Sequence, residues 1–99
     1  MSREMLVRAR DLIIEPENWC QGQSKTRHVN DDGSVTVSRC LTQALWDAAY
    51  LNPYWYDDAL TMVRAVMPAG FTSVVGFNDN QFTTHDKVIA LLDDAINGG

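Results

Sequence analysis

The chain is short of almost everything that marks a specialised protein. Of its 99 residues only six are Gly and three Pro, far below what collagen-like repeats or low-complexity linkers need. Uncharged apolar runs extend a few residues at most, so no segment is expected to span a bilayer. No basic stretch followed by an apolar core opens the chain, which points to a cytoplasmic protein without an export signal. Two cysteines are too few for a disulfide-built scaffold. Basic charge is scarce as well. Eight Lys and Arg stand against 13 Asp and Glu, a formal net charge of −5, and binding to a phosphate backbone needs a basic stripe. Direct nucleic-acid binding and membrane binding are therefore disfavoured. What is present is ordinary globular composition, 45% hydrophobic and 21% charged, enough for one small domain over residues 1–99.

The charge is unevenly spread. Residues 1–40 carry six basic and six acidic side chains. Residues 41–99 carry Arg64 and Lys87 against Asp47, Asp57, Asp58, Asp79, Asp86, Asp93 and Asp94, so the whole deficit lies there. Such a surface either keeps exposed helix faces soluble or meets a partner of opposite potential. Cys20 and Cys40 bracket a hairpin. Without an export signal they read as free thiols, although a bridge between them would close a loop of about 20 residues, worth about 3 kcal/mol in the loop-entropy picture.

Periodicity predicts a mainly α fold of α+β type: four amphipathic helices, with one short β-hairpin between helices one and two. Helix one runs from about Arg3 to Ile14, with Met5, Leu6, Ala9, Leu12 and Ile13 on one stripe. Pro16 stops it. Lys25 to Ser38 reads as a hairpin turning at Asp32-Gly33, its second arm alternating through Val35 and Val37. Helix two, about Arg39 to Leu51, aligns Leu41, Ala44, Leu45 and Ala48. Asn52 caps helix three and Pro53 occupies its first position; that helix ends before Pro68. Gly70 to Gly76 is either a buried extended segment or a short helical turn. Asn78-Asp79-Asn80-Gln81 reads as an ordered turn. Thr83 with Asp86 matches a capping box, opening a last helix that buries Val88, Leu91, Leu92, Ala95 and Ile96.

Trp19-Cys20-x-Gly22, then Cys40-Leu41-Thr42-Gln43-Ala44-Leu45, then Phe77-Asn78-Asp79, Thr84 and a Val88…Leu92…Ala95 helix form a familiar series. On these residues the chain resembles a family of unknown function, short helical proteins encoded by bacteria and their phages. The likeness covers roughly residues 5–97. Gln43 stands where the family pattern has Gly, and Phe77 where it has Trp. The resemblance implies a small helical fold and a phage or prophage origin, and it transfers no catalytic residue.

Three constellations could carry chemistry. Cys40 falls at the start of helix two, a recognised setting for nucleophilic thiols, with His85 as a base and Asp79 or Asp86 to orient it. No signature motif supports that relay, and a buried apolar Cys40 beside a capping-turn His85 is the plainer account. Cys20, His28, Cys40 and His85 supply the residue types of a tetrahedral zinc site, but no two lie closer than eight positions, unlike the paired ligands of structural zinc. Third, Tyr50, Tyr54, Trp55 and Tyr56 crowd the helix two to helix three junction. Projection back from Met62 and Val63 turns Trp55 and Tyr56 inward and Tyr54 outward beside Asp57 and Asp58.

Exposed tyrosine and tryptophan are favoured at interface hot spots, so Tyr54, Trp55, Asp57 and Asp58 are the expected binding residues. The sequence therefore favours a small non-enzymatic protein-binding module without a cofactor, whose partner presents a basic surface. The resemblance adds some support for a phage- or prophage-encoded modulator or inhibitor of a host or defence protein. A small-molecule or metal-binding domain, or a thiol enzyme using Cys40 and His85, is the alternative, and a homo-oligomer stays open.

Overall fold

Three long helices and two shorter ones enclose a single apolar cluster, and a two-stranded ribbon projects from it. The computed structural model describes residues 2–98. In chain order it has α1 (Ser2–Leu12), one 3₁₀ turn (Pro16–Asn18), β1 (Lys25–Val29), β2 (Val35–Arg39), α2 (Leu41–Ala48), α3 (Pro53–Ala65), α4 (Val74–Asp79) and α5 (His85–Ile96). The architecture is the mainly helical α+β fold expected, with the hairpin between α1 and α2. It adds one helix: α4 covers the end of Gly70–Gly76, where a short helical turn is one of the two alternatives, and takes in Asn78 and Asp79 of the segment expected to be an ordered turn. Six residues are too few to display a 3.6-residue period.

α1 packs against α2, α3 and α5. It does so because Met5, Leu6, Ala9 and Ile13 recur along one stripe, and all four are buried. Leu41, Ala44, Leu45 and Ala48 answer from α2; Ala59, Leu60 and Val63 from α3; Val88, Leu91, Leu92 and Ala95 from α5. At about 25 cal/mol per Å² of apolar surface removed from water, each fully buried Leu contributes about 2 kcal/mol.

Helix starts follow the local chemistry. The Asn52 side chain accepts from the N–H groups of Tyr54 and Trp55 at 2.9 and 3.2 Å, with Pro53 at the first position. Ser73 Oγ caps α4 by accepting from Gly76 N–H at 2.9 Å. α5 corrects the expected cap by one residue: Thr84, not Thr83, accepts from Lys87 N–H, while Thr83 is buried.

The hairpin pairs Lys25 with Arg39 through Val29 with Val35 in antiparallel register. Its three-residue loop closes with Asn30 N–H on Ser34 O at 2.8 Å, and Gly33 at φ 85° supplies the left-handed residue such loops require. Asp47 on α2 ties the ribbon down, accepting from Arg39 Nε at 2.7 Å and facing Lys25 Nζ at 3.0 Å. Gln43 adds a third donor. Burial pushes the Asp47 carboxyl up, yet these partners together hold it below its ordinary value.

Candidate functional site

The residues that carry the family resemblance converge on one buried amide. Asn78, at the end of α4, is 1% exposed. Its Oδ1 accepts from Trp19 Nε1 at 2.7 Å and from Leu41 N–H at 3.0 Å. Its Nδ2 donates to Cys20 O at 3.1 Å and to Asp79 Oδ1 at 2.9 Å. Two donors meet the oxygen and two acceptors meet the nitrogen, so the amide has only one orientation that satisfies all four.

Backbone register explains why an amide sits there. Trp19 bridges Arg39 in parallel, with Cys20 N–H on Arg39 O at 3.1 Å. The next rung of a parallel ladder would run from Leu41 N–H to Cys20 O. The Asn78 carboxamide occupies that rung instead, taking the N–H on one side and the C=O on the other as a peptide group would. Around it, Gly22 donates its N–H to Asp79 Oδ1 at 2.9 Å, from a φ of 75° that only glycine adopts easily. Gln21 Nε2 donates to the carbonyls of Asn78 and Asn80 at 2.8 and 3.0 Å, finishing the exposed end of α4. The 19–22 loop and α4 form one clamp over the start of α2. No buried side-chain polar atom among the described residues lacks a partner.

Each candidate for thiol chemistry has a side-chain polar atom engaged in this framework. Cys40 is the N-cap of α2: its Sγ accepts from Gln43 N–H at 3.4 Å and lies 3.2 Å from Thr42 Oγ1. His85 Nε2 donates to Ile13 O at 2.7 Å, because a carbonyl can only accept, and the imidazole lies 6.0 Å from the Trp19 ring. Asp79 holds the Gly22 loop. Among the described residues no hydrogen bond links Cys40, His85 and Asp79 into a relay. The zinc candidates are not assembled either: His28 lies exposed on β1, and no three His, Cys, Asp or Glu side chains among the described residues group as ligands. Cys20 and Cys40 are both free thiols. Burial raises the Cys20 thiol above its ordinary value, and the charges of Cys40 and Asp79 add to that. A cleft of about 120 Å³ beside the clamp is lined by Gly22, Ser24, Cys40, Val75, Asn78 and Asp79.

The α2–α3 junction is a different kind of place. α2 ends in a Schellman motif: Leu51 N–H reaches Trp46 O at 3.3 Å and Tyr50 N–H reaches Asp47 O at 3.2 Å. That motif needs a left-handed residue, commonly Gly. Here Tyr50 takes it at φ 53° and Leu51 follows at φ 60°. Two bulky left-handed residues in succession are held about 1–2 kcal/mol each above their relaxed conformations. Both side chains lie outside the core, 59% and 60% exposed. The Arg8 guanidinium sits 4.1 Å over the Tyr50 ring, and Trp55 meets the same ring edge-on at 6.4 Å.

Tyr54 is 79% exposed. Asp57 and Asp58, three and four residues on, share its face of α3 and are exposed. Neither joins an ion pair among the described residues. Trp55 and Tyr56 pack on the core. An open depression of about 470 Å³ along Arg3, Glu4, Val7 and Arg8 adjoins Tyr50 through Arg8. Of this surface the sequence singled out Tyr54, Asp57 and Asp58. It missed Leu51 and the role of Arg8, for which the one available signal was a bulky Tyr-Leu pair forced between a helix end and the Asn52-Pro53 start.

Fold and site together define a small, mainly helical α+β protein built around a buried carboxamide. No helix among the described residues is long and apolar enough to cross a membrane. The chain belongs to a family of unknown function, DUF6197, whose family model matches residues 2–98. No curated protein and no solved structure matches it.

Proposed function

We propose that the protein acts without chemistry of its own, by docking on a partner protein that presents a basic surface. The observation that carries this reading is the Tyr50-Leu51 pair. Two consecutive left-handed residues hold large side chains more than half exposed, Tyr50 braced only by Arg8 and Trp55 and Leu51 outside the core. Strain that persists at an exposed site is characteristic of binding surfaces. Tyr54 extends the apolar area, and unpaired Asp57 and Asp58 border it with negative charge, the pattern of an aromatic anchor with a polar rim. Complementary potential then favours a partner rich in Lys or Arg. The narrower role, modulation of a host or defence protein by a phage-encoded factor, is supported by the resemblance of the Trp19–Gly22, Cys40–Leu45 and Asn78-Asp79 segments.

Capture from a host extract tests the surface. Wild-type protein, Tyr54→Ala and Asp57→Lys are compared as baits, with thermal midpoints measured alongside. The proposal predicts a partner recovered by the wild type and lost with both variants at unchanged midpoints. A photo-crosslinker placed at position 54 should attach to a basic segment of that partner. Equal recovery by all three baits would remove this surface from contention.

A further inference from the structure

We infer that Cys20 and Cys40 form a dithiol pair that closes to an intramolecular disulfide under a low-molecular-weight disulfide oxidant, a modification site that locks the 19–24 loop onto the start of α2. The pairing follows from the backbone. Trp19 and Arg39 face each other in a parallel bridge, and Cys20 and Cys40 are the next residue on each strand. Cys20 N–H lies 3.1 Å from Arg39 O, the carbonyl of the peptide bond that Cys40 completes. At the rung from Cys20 N–H to Arg39 O, before the Asn78 amide widens the next one, facing strands lie about 5 Å apart, within the roughly 4–7 Å between Cα atoms that a disulfide spans. Side chains at facing positions of a parallel pair leave the same side of the ladder. Access is also present: Cys20 is half-buried, and Cys40, although 6% exposed, lines the cleft beside Gly22 and Asp79.

The chemistry balances with oxidised glutathione as the oxidant. The Cys20 thiolate attacks one sulfur of the small disulfide; its S–S bond breaks and one glutathione leaves as a thiolate that takes up a proton. The Cys40 thiolate then attacks the Cys20 sulfur, the mixed disulfide breaks, and the second glutathione leaves in the same way. The protein loses two electrons and two protons, and the small disulfide gains both. Closure has a structural consequence. Cys40 Sγ gives up its bond to Gln43 N–H, the cap of α2, and Cys20 Sγ gives up its bond to Gln23 O. Oxidation thus trades a helix cap for a covalent tie across the clamp. This site is independent of the docking surface on α3.

The test equilibrates the full chain with mixtures of oxidised and reduced glutathione, alkylates the remaining thiols, and weighs the intact protein. The expected result is a monomer that loses two hydrogen masses in one transition and resists alkylation at both cysteines. In the oxidised form the Gln43 amide proton should exchange faster. Cys40→Ser, which keeps an oxygen at the helix cap, should instead hold one glutathione on Cys20. The inference is overturned if both thiols stay alkylatable at every ratio. It is equally overturned if the wild type accumulates a stable glutathione adduct or a cross-linked dimer, or if Cys40→Ser acquires no adduct.

Discussion

The clamp around Asn78 and the junction at Tyr50-Leu51 treat their demanding groups in opposite ways. In the clamp, groups that are costly to bury (an indole N–H, a carboxamide, two backbone groups with no ladder partner) are removed from water and every one is paired. At the junction, groups that are easy to bury, a tyrosine ring and a leucine side chain, are left in water on a backbone that resists the conformation. The first arrangement makes sense as folding, because an unpaired buried polar group would cost about 1–3 kcal/mol. The second is accounted for only in part within the isolated chain, by Arg8 and Trp55 against the Tyr50 ring, and Leu51 has no such partner in the core. A motif dense in distinctive residues is here architecture, and the candidate interface lies instead at the aromatic α2–α3 junction.

The largest expected effect breaks the clamp. Asn78→Ala leaves the Trp19 indole, Leu41 N–H and Cys20 O without partners, and should cost about 4 kcal/mol in urea unfolding. A change below 1 kcal/mol would mean that water replaces the amide freely. Next is Asp47, which ties ribbon to helix. Asp47→Asn should cost about 1 kcal/mol at neutral pH. Because the folded carboxyl lies below the unfolded value of 3.8, the stability it provides is present above that pH. It is lost as pH falls through the lower folded value, so the gap between wild type and variant should close in strong acid. A gap that persists there would show that the contribution is not ionic.

The junction should respond with the opposite sign. Leu51→Gly relieves a left-handed backbone while removing a side chain that packs on nothing in the core, so it should raise stability by about 0.5–1 kcal/mol. Destabilisation by that amount would show that Leu51 makes packing contacts in solution. Tyr54→Ala should be smallest, within about 0.5 kcal/mol of the wild type. A larger loss in thermal unfolding would move Tyr54 from the candidate interface into the fold.

Much of the architecture could be read from spacing alone. The stripes Met5-Leu6-Ala9-Ile13 and Val88-Leu91-Leu92-Ala95 recur over three turns, and Asn52-Pro53 marks a helix start through local chemistry that tertiary contacts do not override. α4 was legible only as one of two alternatives, a short helical turn ending at Gly76, because Val74, Phe77 and Asn78 make barely one turn of a face and the third of these is polar. Nothing local distinguishes a buried Asn from a turn Asn; its burial is decided by Trp19 and Leu41, 59 and 37 residues away. Thr83 and Thr84 are equivalent as caps by composition, and burial of the first leaves the second to act. Outward placement of Tyr54 followed from projecting three consecutive aromatics onto a helix. The strain at Tyr50 and Leu51 did not, because the Schellman geometry was satisfied without the glycine that announces it.

The central claim is that Asn78 is a rigid, water-excluded hub of the fold and not a site held open for a ligand. Hydrogen exchange at the Trp19 indole N–H, which donates to Asn78 Oδ1 at 2.7 Å, tests this with a single resonance. The account predicts that this proton exchanges only through global unfolding, at a rate that tracks the unfolding free energy as urea is added. Exchange close to the rate of free tryptophan, insensitive to urea, would contradict it.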